Sequence, residues 1–316
     1  MKKTLKGIVP PLVTPLLNND TLDIQGLERL IEHVVAGGVH GIFVLGTTGE
    51  AQSLSFDLRV EMIKESSRIL KERIPLLVGI SDTSATDSVR LAKVAAEHGA
   101  DAVVSAPPYY YSTSQSELAE FYENLIPRLP LPIFLYNMPS HTKVSFAPST
   151  VLRLAENEKV IGFKDSSANG TYFQVLTDMF GKRKDFSLFV GPEEMMAQAV
   201  LLGASGGVNG GANMFPELYV DLFNAAVEAD MDKIKELQAQ VMKISNSIYN
   251  VVSCGSSYLR GLKCALSVLG ICDDFLATPY KKFDEKEREK IKIALDSLQF
   301  SYFAHEQMVL GANQKK

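Results

Sequence analysis

The apolar positions along this chain fall into two alternating kinds of run. Short stretches of consecutive aliphatic or aromatic residues, apolar on both faces, are separated by longer stretches in which apolar positions recur every three or four residues. Continuous apolar runs joined by helical periodicity are the signature of buried parallel strands with crossover helices. The run at 6–15 predicts a first strand that breaks at Pro10-Pro11. An amphipathic helix over 23–36 follows, apolar at Leu27, Leu30, Ile31 and Val34 and stopped by Gly37-Gly38. A strand at 41–45 leads into the loop Gly46-Thr47-Thr48-Gly49-Glu50, then a helix at 55–71, a strand at 75–80, a helix at 86–97 and a strand at 102–105. The loop from Pro107 to Ser112 precedes a helix at 114–129. Two further apolar runs, 132–136 and 160–164, flank a helical segment at 148–155. A helix at 172–180, a strand at 187–190, a helix at 194–202, a strand at 206–209 and a helix at 216–229 complete the series.

Eight strand–helix alternations predict an α/β protein built as a (β/α)₈ barrel. An open doubly wound sheet is the competing architecture; the regularity of the units and the lack of a dinucleotide fingerprint count against it. From Asp232 onward the strand pattern stops, and helical patterns continue at 232–252, 257–269 and 285–298. Residues 1–229 therefore read as the catalytic barrel and 230–316 as a C-terminal helical extension packed on it, since no linker marks a free domain. Residues after His305 read as a ragged tail.

Composition narrows the function. The 316 residues are 46% hydrophobic and 22% charged, with a formal net charge of −5. That balance suits a soluble globular protein and argues against nucleic acid or an anionic membrane as the main partner. No apolar stretch approaches the roughly 20 residues that span a bilayer. The basic start, Met1-Lys2-Lys3, runs into Gly-Ile-Val-Pro-Pro in place of a signal-peptide core, so a cytoplasmic location is expected. Cys254, Cys264 and Cys272 form no CxxC pair and are expected to be reduced, mostly packed thiols. The five histidines are scattered without a metal-binding motif, so no protein metal site is expected.

A (β/α)₈ barrel builds its site at the carboxyl ends of its strands. That rule selects Thr47 and Thr48, Tyr109 to Tyr111, Tyr136, Lys164, Gly191 and Asn209. A lysine ending a buried strand can simply snorkel to the rim and meet water or Asp165. Alternatively the apolar surroundings desolvate its ammonium, leaving neutral amine to attack a ketone, and the tyrosine on the next strand supplies the proton transfers. Gly46-Thr47-Thr48-Gly49 can offer backbone N–H groups and hydroxyls to a carboxylate, or can be an ordinary turn that caps a helix. The three tyrosines suit a subunit contact equally well. The glycine-rich segment from Gly203 to Gly211 has the look of a phosphate cradle, although tight packing accounts for it without one. His141 follows Tyr136 closely enough to face a substrate, or to be solvated in its loop.

Gly46-Thr47-Thr48-Gly49-Glu50, Pro108-Tyr109-Tyr110, Tyr136-Asn137-Met138-Pro139 and Gly162-Phe163-Lys164-Asp165 occur together in one order and spacing. In these motifs the chain resembles the dihydrodipicolinate synthase/N-acetylneuraminate lyase family of Schiff-base class I aldolases, over about residues 6–298. The resemblance implies a 2-oxo acid substrate, pyruvate or a compound that cleaves to it, and no metal or organic cofactor. It implies that Lys164 forms the imine, that Tyr136 shuttles protons through Thr47 to a Tyr110 lent by a neighbouring subunit, and that Thr48 with the loop amides holds the carboxylate. A homo-oligomer, dimer or tetramer, is implied with it. Two departures bear on the branch. His141 stands where the synthases have arginine, and Lys164 is followed by Asp165-Ser166 in place of their glutamate. Histidine cannot copy the planar fork of arginine. Lys-Asp-Ser is similar to the keto-deoxy sugar acid and hydroxy-oxo acid aldolases, whereas neuraminate lyases carry Lys-Gln there. Reversible cleavage, or dehydration, of a 2-keto-3-deoxy sugar acid is thus the expected reaction. Dihydrodipicolinate synthesis, neuraminate cleavage, a non-catalytic oxo-acid sensor and a phosphate-binding isomerase are its alternatives.

Overall fold

The structure is a computed structural model, and it describes residues 4–298. Eight parallel strands form the ring: β1 Gly7–Ile8, β2 Ile42–Val44, β3 Leu76–Gly79, β4 Ala102–Ser105, β5 Ile133–Asn137, β6 Val160–Asp165, β7 Ser187–Val190 and β8 Gly206–Gly207. Each pairs with its successor from β2 to β8, and β8 returns to β1 with Gly206 opposite Gly7. The last gap closes through backbone bonds, His40 N–H to Ile8 O at 2.8 Å, Phe43 N–H to Pro10 O at 3.0 Å and Leu12 N–H to Phe43 O at 2.8 Å. A (β/α)₈ barrel results, with helices at Ile24–Ala36, Phe56–Leu70, Ala85–Glu97, Gln115–Leu125, Pro148–Leu154, Gly170–Phe180, Met196–Leu201 and Pro216–Glu228.

Side-chain alternation along the strands makes two cores. Inward residues such as Val9, Phe43, Leu77, Val104, Phe134 and Phe189 fill the barrel. Outward residues such as Ile42, Leu76, Leu135, Phe163 and Leu188 pack beneath the helices. The small β8 strand is a steric necessity: a side chain on Gly206, at φ +154°, would collide with the carbonyl of Gly7.

Several boundaries move for local reasons. Only two residues of the predicted first strand pair as a strand, because Pro10 and Pro11 remove donors. A hairpin of Leu16–Asn18 and Thr21–Leu22 follows it, too short to register as a period. The helix expected at 114–129 starts with a capping box between Ser114 and Glu117 and becomes a 3₁₀ turn at Ile126–Arg128, where Pro127 lacks the N–H. The helix expected at 194–202 begins as a 3₁₀ turn, Glu193–Met195. The helix expected over 232–252 is α-helical at Met231–Ile244 and widens into a π-helical turn at Ser245–Tyr249. Together with helices Ser257–Val268 and 285–298, this extension places Leu237, Val241, Leu262, Leu266, Ile291 and Leu295 in the same apolar cluster as the barrel helices. The sequence region after His305 lies outside the described residues. No helix among the described residues is long and apolar enough to cross a membrane.

Candidate active site

Lys164 owes its orientation to a β-bulge. Ile133 pairs with Val160 but the next residue, Phe134, pairs with Gly162, so Ile161 is inserted without a partner of its own. Such an insertion shifts the alternation downstream by one residue. Phe163 consequently points out under the helices, while Lys164 points into the barrel in register with Tyr136. The Nζ sits 4.1 Å from the centre of the Tyr136 ring and 5.1 Å from that of Phe43. Lys164 is only 6% exposed. Asp165 takes the opposite face, where it accepts from Asn137 Nδ2 at 2.8 Å and Ser167 Oγ at 2.9 Å. It is therefore not a counter-ion for Lys164, and the lysine does not snorkel. Among the described residues Lys164 has no ion pair. Burial depresses its pKa below the ordinary lysine value, and the interaction with Tyr136 opposes this only in part.

The Tyr136 hydroxyl lies 3.2 Å from Thr47 Oγ1, which joins the end of β5 to the loop after β2. That loop is a tight turn entered through Leu45 in the left-handed region and left through Glu50, also left-handed. The Gly49 N–H bonds to Gly46 O and the Glu50 N–H to Thr47 O. Among the described residues the N–H groups of Thr47 and Thr48 meet no protein acceptor, so both remain available to an anion. Long-range contacts hold the turn. Thr48 Oγ1 lies 3.2 Å from the hydroxyl of Tyr258, and Glu50 forms a fully buried ion pair with Lys263 while accepting from the Ala277 N–H at 2.9 Å. Both anchoring side chains belong to the helix Ser257–Val268, so the C-terminal extension braces the barrel mouth.

A cleft of about 700 Å³ opens over this constellation. Of the residues selected from sequence, Thr47, Thr48, Tyr136, His141, Lys164 and Gly191 line it. Three do not. Gly49 is buried in the turn, where an added side chain would press on Leu12 O at 3.0 Å. Asn209 lies behind the wall, fully buried, and its Nδ2 donates to Gly191 O at 3.0 Å. It shapes the rim and does not face the cleft. Tyr110 is 78% exposed and stacks edge-on against Tyr111, away from the site of its own chain, while Tyr109 turns inward to the lining. His141 stands at the mouth, exposed, with Nδ1 3.0 Å from Ser140 Oγ. Desolvation at the cleft mouth and the nearby Lys143 lower its pKa. The glycine-rich segment is used for packing: a side chain on Gly210 would meet the Tyr258 hydroxyl at 1.8 Å.

The structure adds residues that sequence reasoning missed. Glu193 and Glu194 line the cleft just beyond Gly191, and the strand-end rule applied to β7 would have found them. Glu193 is buried, takes the Gly211 N–H at 2.9 Å, and is pushed up to about 7 by that burial. Glu194 accepts from Ser245 Oγ at 2.6 Å. Tyr249 and Tyr258 reach the cleft from the extension, where no strand end points to them. Lys143 and Ser166 are also among the polar residues of the lining.

Fold and site together are those of a barrel lyase that carries a buried lysine at the end of its sixth strand. The chain belongs to the dihydrodipicolinate synthetase family, whose model matches residues 4–298. It is 28% identical over 296 residues to a protein of Escherichia coli (strain K12) named "Probable 2-dehydro-3-deoxy-D-pentonate aldolase YjhH", covering 93% of this chain and 97% of that one. A solved structure described as dihydrodipicolinate synthase from Bacteroides thetaiotaomicron is 65% identical, with a TM-score of 0.91, covering 94% of this chain and 100% of that one. YagE of E. coli K12, a member of the dihydrodipicolinic acid synthase family solved in complex with pyruvate, is 26% identical with a TM-score of 0.87, covering 93% and 98%.

Proposed function

We propose that this protein is a lysine Schiff-base lyase that cleaves a 2-keto-3-deoxy sugar acid to pyruvate and an aldehyde, or dehydrates it through the same imine. The observation that carries this is Lys164: buried, without a counter-ion among the described residues, and in register with a tyrosine whose hydroxyl contacts Thr47. A depressed pKa raises the fraction of neutral amine, the form that attacks the C2 ketone. The substrate carboxylate is held by the Thr48 hydroxyl and the two free turn amides. Tyr136 transfers protons as the ketone oxygen leaves as water. The protonated imine then accepts the electron pair of the C3–C4 bond: the C4 hydroxyl gives its proton to Tyr136, the aldehyde departs, and an enamine remains on Lys164. Protonation at C3 and hydrolysis release pyruvate and the free lysine. A second copy of the chain is proposed to contribute Tyr110 to this proton path, which accounts for its exposure here.

The cleft is larger than pyruvate needs, and Gln52, Ser53, Ser166 and Glu194 give its walls hydroxyl-binding capacity. His141 in place of a fixed guanidinium disfavours a synthase that must grip a semialdehyde carboxylate. The 65% identity to the structure described as a synthase supports condensation of pyruvate with aspartate semialdehyde as a second reading. Borohydride reduction in the presence of pyruvate, followed by mass mapping, tests the chemistry: Lys164 is the expected label. Comparison of kcat/KM for keto-deoxy sugar acid cleavage with that for the condensation tests the branch. Label on another lysine sinks the mechanism, and faster condensation sinks only the choice of substrate.

A further inference from the structure

The helix Ser257–Val268 brings one phenol from the C-terminal extension to the cleft, and its surroundings hold that phenol in place. Tyr258 lines the cleft and is half-buried. Its ring packs edge-on against Tyr249, the last residue of the π-helical turn, with centroids 4.8 Å apart and planes at 67°. Its hydroxyl lies over Gly210, where a Cβ would come within 1.8 Å of it, so only glycine leaves room for the phenol. Farther along the same helix, the buried Lys263 pairs with Glu50 and donates to Phe275 O at 2.7 Å. Glu50 is the left-handed exit of the turn that carries Thr47 and Thr48. The barrel holds that turn from its other side, where Thr14 Oγ1 donates to Gly49 O at 2.7 Å. The backbone beneath Thr48 is thus fixed relative to the helix that bears Tyr258.

The oxygens of Thr48 and Tyr258 are 3.2 Å apart, and by geometry either can donate. The donor count fixes the direction. A threonine hydroxyl has one proton and two acceptor positions. If Thr48 holds a substrate carboxylate, its proton points at the carboxylate, and toward Tyr258 it can only accept. Tyr258 then has to be the donor. Burial and the neighbouring Glu193 push its pKa above the ordinary tyrosine value, so the phenol keeps its proton. A hydroxyl that accepts one hydrogen bond donates a stronger one, because each bond polarises the next.

We infer that Tyr258 is a positioning residue that donates to the Thr48 hydroxyl and so turns the threonine proton toward the carboxylate of the 2-oxo acid. The C-terminal extension thereby sets the affinity of a barrel site, acting through Thr48. This rests on the Schiff-base reading above and adds a residue to its carboxylate cradle; Lys164 and Tyr136 keep their roles.

The pyruvate concentration that half-saturates borohydride labelling of Lys164 reads this affinity. It is measured on the full-length protein as wild type, Tyr258→Phe, Thr48→Val and the double variant. Tyr258→Phe keeps the ring and its packing on Tyr249 and removes only the hydroxyl. It should raise the half-saturating concentration about 3- to 10-fold, the range for one neutral hydrogen bond, and the loss should not fall on maximal labelling. Thr48→Val should raise it further. The double variant should be no worse than Thr48→Val, because a residue acting through Thr48 has nothing to act on once that hydroxyl is gone. Losses that multiply in the double variant, an unchanged half-saturating concentration in Tyr258→Phe, or a loss confined to maximal labelling overturns the inference alone. Absence of label on Lys164 in wild type at every pyruvate concentration overturns the Schiff-base reading, and this inference with it.

Discussion

Replacing Lys164 by methionine should abolish turnover and make the protein more stable. The exchange keeps the unbranched stem and removes only the ammonium. That ammonium loses its hydration on folding, at an effective cost of several kcal/mol. What it receives in return is two aromatic faces, at 4.1 and 5.1 Å. Each ring contact contributes about 0.5–2 kcal/mol. The downward direction of the lysine pKa says that desolvation exceeds these gains. A net stabilisation of about 1–3 kcal/mol follows for the methionine variant, on the scale seen when buried charges give way to apolar groups. At roughly 2–4 °C per kcal/mol, Tm should rise by several degrees. The pH dependence fixes the sign. A lysine whose folded pKa is lowered destabilises the native state at low pH, where both states are protonated in solution but only one is desolvated. The penalty fades as pH climbs from that lowered value toward the ordinary 10.5. Urea unfolding of both proteins at one protein concentration, at pH 6, 8 and 10, should therefore show the methionine variant ahead at pH 6 and the gap closing toward pH 10. A wild type that is the more stable at pH 6, or a gap that widens with pH, would refute the reasoning.

Tyr136→Phe should lower kcat by roughly 10²- to 10⁴-fold while borohydride still labels Lys164, because a positioned proton donor is lost and the amine is not; unaltered turnover would reduce Tyr136 to packing. Glu193 is pushed up to about 7 from 4.5, so its burial penalty is absent below pH 4.5, grows through the window between, and approaches ~3 kcal/mol above pH 7. Glu193→Gln should therefore gain on wild type as pH rises from 5 to 8 in denaturant titrations, and a difference independent of pH would show that the carboxyl is already ionised at pH 5. Tyr110→Phe should impair catalysis without altering the sedimentation coefficient, since an exposed hydroxyl on this loop is proposed to act across a subunit contact; a wild type that is monomeric and fully active at assay concentration contradicts it.

Periodicity alone determined most of the architecture. Apolar runs with two buried faces have nowhere to go except a sheet covered on both sides, and regular helical crossovers make that sheet parallel and closed. Because a barrel gathers the carboxyl ends of its strands at one face, the sequence alone groups Thr47, Thr48, Tyr136, Lys164 and Gly191. The orientation of the lysine was a different matter. Uninterrupted alternation from Ile161 would send Phe163 inward and Lys164 outward; the bulge, where β6 pairs with β5, reverses this. Asn209 and Gly49 sit at the right places along the chain, yet close packing turns the first toward Gly191 O and seals the second in its turn. The brace from Tyr258 and Lys263 spans more than two hundred residues, and nothing local in either helix or loop specifies it. Local pattern is set by which face of each segment must leave water. Partnerships between distant polar side chains are set only once those faces have been buried together, and in this protein they decide what the substrate meets.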